Sequence, residues 1–216
     1  MGTFWCYSVA VDQVRDIFGA PEPEATGLRA IAAERFGARA HAQPGLLGKL
    51  GPLFRRPPDA PVISPDSPGR EDCDRILSGQ HVPPHRLAAS WSLLQTWIEA
   101  RAWSSHTSTV DSQELGVIEF DLARAGVPAR HSVNGLLGRD LGIGMLPAPG
   151  TAAGYCTGEH AIATARAWRD SLPELAPDTA RWVVDLLDWL EHFEEWTAAA
   201  GAQHRPPPDL VGVLAG

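Results

Sequence analysis

The first residues, Thr3-Phe4-Trp5-Cys6-Tyr7-Ser8-Val9-Ala10, are aromatic and β-branched and predict a strand. From Val11 the pattern changes. Apolar positions 11, 14, 17 and 18 fit one face of a helix, which Gly19 stops. Leu28, Ile31, Ala32 and Phe36 keep that spacing and predict a second helix over about 25–36, with Gly37 at its end. Residues 72–77 read as a short helix. Pro83-Pro84 then opens a longer one to about Trp103, with Leu87, Trp91, Leu94, Trp97 or Ile98, and Ala102 at three-to-four spacing. A further helix covers about 112–125 and ends at Gly126. Residues 127–150 carry no period and read as irregular. Thr157 caps a helix to about Leu172, with Glu159 set to complement its positive start. The clearest helix runs from Asp178, as N-cap, to a stop at Gly201. Trp182, Val183, Leu186, Leu187, Leu190, Phe193 and Trp196 form its apolar stripe. Beyond Pro206-Pro207-Pro208, residues 209–214 read as a closing strand.

These elements add up to an α+β fold, mostly helical, in a single domain over residues 1–216. Its small sheet includes the N- and C-terminal strands, whose pairing would close the domain. Residues 43–70 stand apart as an insertion or loop. Seven prolines and four glycines there exclude a long helix or a central strand. Leu46, Leu47, Leu50, Leu53 and Phe54 nevertheless favour contact of its first half with the domain. Loops of this length are functional or disordered.

Composition narrows the function. The chain has 216 residues, 44% hydrophobic and 20% charged, enough to bury a sizeable core. A net charge of −8 argues against nucleic acid as partner, since Arg55-Arg56 is the only basic pair. No apolar run approaches the roughly 18 residues of a membrane span, and no basic leader precedes an apolar stretch. Cysteines 6, 73 and 156 are too few and scattered for a disulfide framework or zinc knuckle. A cytoplasmic setting without membrane contact is the expectation. Every basic residue but Lys49 is arginine, a bias expected of GC-rich, actinobacterial coding.

Three stretches carry a family likeness. They are Phe4-Trp5-Cys6-Tyr7-Ser8-Val9-Ala10-Val11, then Met145-Leu146-Pro147-Ala148-Pro149 with Gly154-Tyr155-Cys156-Thr157-Gly158-Glu159, and Leu187-Asp188-Trp189-Leu190 with Gly201 and Leu210-Val211-Gly212-Val213. Together they resemble the YfbM-like family, most nearly its uncharacterised actinobacterial relatives. The likeness covers roughly 1–20 and 72–216, and 43–70 has no counterpart. Where the family carries Gly-Tyr-Leu-Thr, this chain has Cys156 in place of the leucine. The resemblance implies an α+β domain and, by fold analogy with some relatives, an immunity or antitoxin-type role.

Three groups of residues are candidates for chemistry. Cys156 precedes a helix start, where a thiolate is favoured, with Glu159 or His160 as its base; otherwise it is a small core residue beside a cap. Asp185, Asp188, Glu191, His192 and Glu195 recur along the last helix. Asp185, Asp188, His192 and Glu195, on one face, could hold a divalent metal or work as acid and base. Asp188, Glu191 and Glu195 could meet a basic partner, and the plain alternative is a solvated acidic surface. His85, Trp91 and Trp97, with His81, His106 and Trp103 nearby, would line an aromatic pocket or pack in the core. No phosphate loop, dinucleotide fingerprint, His-Glu-x-x-His or Gly-x-Ser-x-Gly is present, so neither cofactor nor metal is expected.

Two functional expectations follow. The first is a cofactor-free protein of immunity or regulatory type that binds a partner protein through its acidic helix face. The alternative is a small cofactor-independent enzyme of actinobacterial specialised metabolism. Its small-molecule substrate would sit in a Trp/His-lined pocket with the 43–70 loop as lid.

Overall fold

The computed structural model describes residues 2–37 and 67–216. Four strands, β1 (Thr3–Val9), β2 (Ser105–Thr109), β3 (Thr151–Cys156) and β4 (Asp209–Ala215), form one antiparallel sheet of order β2-β1-β4-β3. The central pair comes from the two ends of the sequence, in register from Thr3↔Ala215 to Val9↔Asp209. β2 flanks β1 and β3 flanks β4. The fold is therefore α+β, with the N- and C-terminal strands paired as the pattern required.

Alternation along β1 sends its side chains to two cores. Tyr7 and Val9, with Val211 and Val213, pack beneath α1 (Val11–Arg15), α2 (Glu22–Gly37), α3 (Arg70–Leu77) and α4 (Leu87–Arg101). Phe4 and Cys6, with Leu210, face α5 (Ser112–Arg124), α6 (Val133–Leu136), α7 (Gly158–Ser171), α8 (Pro177–Leu190) and α9 (Phe193–Ala202). The sheet is thus sandwiched between two helical layers. Gly154 and Gly212 are register partners on the second face. A Cβ on Gly154 would meet the Leu137 carbonyl oxygen at 2.3 Å, and one on Gly212 the Leu137 side chain at 2.4 Å. Both glycines make room for the segment that leads to the Arg139–Tyr155 bridge.

Several elements differ from the sequence expectations. β2 and β3 were not foreseen: Ser-His-Thr-Ser-Thr and Thr-Ala-Ala-Gly-Tyr-Cys lack an apolar alternation because both are sheet edges. The irregular 127–150 interval contains a 3₁₀ turn at Ala129–His131 and α6, whose Ser132 cap accepts from the Gly135 amide at 3.1 Å. α2 starts at Glu22 rather than near 25. The last long helix is two. α8 begins with Pro177 after Ala176, which takes the N-cap position expected of Asp178. Its end tightens where the Glu191 amide reaches Leu187 and the His192 amide reaches Trp189. α9 then continues to Ala202, past Gly201.

Asp209, at the start of β4, accepts from the Val11 amide at 2.9 Å and from the Gly158 amide, so one carboxylate serves the starts of α1 and α7. No described helix is long and apolar enough to cross a membrane. Most of the 43–70 loop, and with it the expected lid, lies outside the described residues.

Candidate functional site

Cys156 closes β3 and is 3% exposed, packed in the second core with Phe193 and Leu210. Burial, then the nearby Asp209, pushes its thiol up to about 12, against the opposing Arg139. Thr157 caps α7 by accepting from the His160 amide at 3.3 Å. The His160 ring is engaged elsewhere: Nε2 lies 2.7 Å from the Arg130 carbonyl oxygen, and the ring stacks on His131 at 4.9 Å. Glu159 faces solvent. Among the described residues no hydrogen bond joins Cys156 to either base, so the three do not form a thiolate–base pair. Burial, then His160 and Arg130, holds the His131 imidazole below its ordinary value. Its Nδ1 meets the Thr164 hydroxyl at 2.8 Å, which fixes the ring against α7.

The proposed aromatic pocket is core instead. Trp97 is fully buried and donates from Nε1 to the Leu28 carbonyl at 2.8 Å. Trp91 is buried and donates to the Leu146 carbonyl at 2.8 Å. Both indole N–H groups are satisfied by backbone, as buried tryptophans require. His85 lies exposed on the 3₁₀ turn Pro84–Arg86 and does not join them.

The acidic residues of α8 and α9 do converge, with one exception. Asp185, Asp188 and Glu195 line a cleft of about 590 Å³ together with Trp103, Ser104, Trp189, His192 and Trp196. Glu191 turns away to pair with Arg169. His192 approaches Glu195 at 3.2 Å, whereas Asp188 has no ion pair among the described residues. Trp189 and Trp196 meet at 5.4 Å between ring centres, and His192 lies against Trp196 at 5.7 Å. The Trp189 indole donates to the Ser104 hydroxyl at 3.1 Å. At the edge of the cleft the Arg205 guanidinium sits 4.3 Å above the Trp103 ring. Aromatic rings and carboxylates lining one cleft suit an organic cation, because ring faces and carboxylates attract positive charge together.

On the same side, His106 Nε2 lies 2.7 Å from the Ser108 hydroxyl and 3.3 Å from Asp185. Burial lowers the imidazole below its ordinary value, against the pull of Asp185. Serine and aspartate share one ring nitrogen here, whereas a proton relay needs them on opposite nitrogens. This is a tether between β2 and α8, not a catalytic triad. No group of three or more His, Cys, Asp or Glu suited to a metal occurs among the described residues.

Sequence reasoning found the carboxylates but grouped Trp103 with the aromatic residues of α4, placed Trp196 in the core stripe and gave Trp189 no site role. Trp189 and Trp196 are seven apart, a two-turn spacing, but Trp103 and Ser104 reach the cleft from the end of α4, which no local period reveals. No family model, curated protein or solved structure matches the chain. The likeness to the YfbM-like family rests on the sequence segments alone.

Proposed function

We propose that this protein acts by binding a basic partner protein, in a regulatory or immunity-type role, with the α8–α9 face as its recognition surface. One observation carries the reading: Asp185, Asp188 and Glu195 line a cleft together with Trp103, Trp189 and Trp196. Exposed carboxylates steer a cationic partner and select it against acidic ones. The indole faces then hold a guanidinium or ammonium, worth about 0.5–1 kcal/mol when exposed and about 2 when desolvated. Arg205 over Trp103 is an internal example of that contact.

The test is calorimetric titration with an Arg/Gly repeat peptide and a Glu/Gly peptide of equal length. The Arg/Gly peptide is expected to bind, and Asp188→Asn with Glu195→Gln to weaken it about tenfold. Glu191→Gln, whose carboxylate faces Arg169 instead, is the matched control and leaves binding unchanged. Equal affinity for the two peptides, or an equal loss in the control, would refute the reading.

A further inference from the structure

Val117, Phe120 and Val184 stand 52%, 67% and 39% exposed, three of the four large apolar side chains exposed among the described residues. Val117 lines an open groove of about 740 Å³ between α5 and α8; Phe120 lies on α5 just beyond that lining, and Val184 lies on α8 outside it. Val117 and Ile118 form its α5 wall, and Trp182 its α8 wall. Phe120 is one turn further along α5 from Val117, and so continues the apolar strip. Asp111, Glu114, Asp178 and Asp185 line the groove, with Arg181 as its one base among the described residues, itself paired with Asp178. An apolar strip with a charged rim is the form of a docking surface rather than of ordinary exposed side chains.

We infer that this groove docks an amphipathic α-helix of the partner protein, apolar on one face and flanked by Lys or Arg. The inference rests on the partner-binding reading above and adds a second, apolar anchor to it. Three observations select this occupant. The rim is acidic, so a cationic segment is complementary to it. A second copy of this chain would bring a net charge of −8 against a rim of the same sign. Asp185 lines both the groove and the tryptophan cleft, so one partner can span them. A groove walled by two helices accepts a third helix through residues at i, i+3 or i+4, and i+7. The floor then takes its apolar anchors, while Asp111, Glu114 and Asp178 meet its basic flank.

The experiment uses the full chain and fluorescence anisotropy with two synthetic helices of about 15 residues. Both carry the same leucine stripe, one with lysine and one with glutamate on the polar face. The Leu/Lys helix is expected to bind, the Leu/Glu helix at least about tenfold more weakly. Val117→Ser with Phe120→Ser, both at exposed sites that leave the fold intact by circular dichroism, should weaken the Leu/Lys helix about tenfold or more. The same variant should leave the Arg/Gly peptide unaffected, since that peptide uses the cleft. An unchanged Leu/Lys affinity in the double variant overturns the inference, as does equal binding of both helices. A concentration-dependent dimer by sedimentation that the double variant abolishes also overturns it, by assigning the groove to a second copy. If the Arg/Gly peptide fails while the Leu/Lys helix binds through Phe120, the cleft reading falls and the groove stands.

Discussion

Ser90 is fully buried in α4 and its hydroxyl has no hydrogen-bond partner among the described residues. A buried, unsatisfied hydroxyl costs about 1–3 kcal/mol, and replacing it by a methyl removes that penalty without opening a cavity. Ser90→Ala should therefore raise the midpoint of urea denaturation, by an amount equivalent to about 1 kcal/mol. A lowered midpoint would show that the hydroxyl has an acceptor. Cys156 poses a second question at this scale. A thiol buried and held up to about 12 is almost wholly protonated at neutral pH, and the thiolate is the reactive form. Iodoacetamide should label it only on the timescale of unfolding at pH 7, in native protein followed by peptide mass spectrometry. Labelling within minutes would contradict its burial and restore it as a candidate nucleophile.

At the scale of elements, α3 is held to the start of α4 by Asp72, 3% exposed, which accepts from Arg86 at 2.9 and 2.5 Å and from the Gly69 amide at 2.8 Å. Burial alone would raise this carboxyl, but the Arg86 hydrogen bonds and the Gly69 amide outweigh it and hold the group below its ordinary value. A depressed carboxyl stabilises the fold above its unfolded value, and that contribution fades as pH falls through the folded value. Asp72→Asn should cost about 3 kcal/mol at pH 7 and flatten the acid limb of stability below about pH 5. A variant as acid-sensitive as the parent would remove Asp72 from that account. Leu190, fully buried at the end of α8, anchors the second core. Leu190→Ala should cost about 2–5 kcal/mol by chemical denaturation, and a loss below about 1 would make α8 peripheral.

What the sequence made legible at this scale follows from where each element sits. The central strands are buried on both faces, so Phe4–Val9 and Leu210–Val213 read as apolar runs. The edge strands are polar or small for most of their length, Ser, His and Thr in β2 and Thr, Ala and Gly before Tyr155 and Cys156 in β3, and their assignment depends on a partner strand far away in sequence. Helices with one buried face were visible through Val183, Leu186, Leu187 and Leu190. The break at Glu191-His192 was not, because neither residue is a helix breaker and Phe193 keeps the three-residue step from Leu190. Half of the cleft was legible in the same way. Its carboxylates share a helical face, whereas its tryptophans come from the α4–β2 connection, α8 and α9 together.

On the scale of the whole molecule, one sheet separates two cores, and the proposed recognition surface belongs to the layer of α5–α9, the β2 edge and the α4–β2 connection. α8 runs through that layer with Trp182 in the groove, Trp189 in the cleft and Asp185 shared between them. Of the chain's eight tryptophans, Trp91 and Trp97 lie in the opposite core and serve as internal controls. Heteronuclear NMR of the indole N–H signals, assigned by single Trp→Phe variants and titrated with the Arg/Gly peptide, therefore tests the central claim at its site. The account predicts saturable shifts of the Trp103, Trp189 and Trp196 signals, with Trp91 and Trp97 unmoved. Shifts spread equally over both cores, or none in the three cleft indoles, would contradict it.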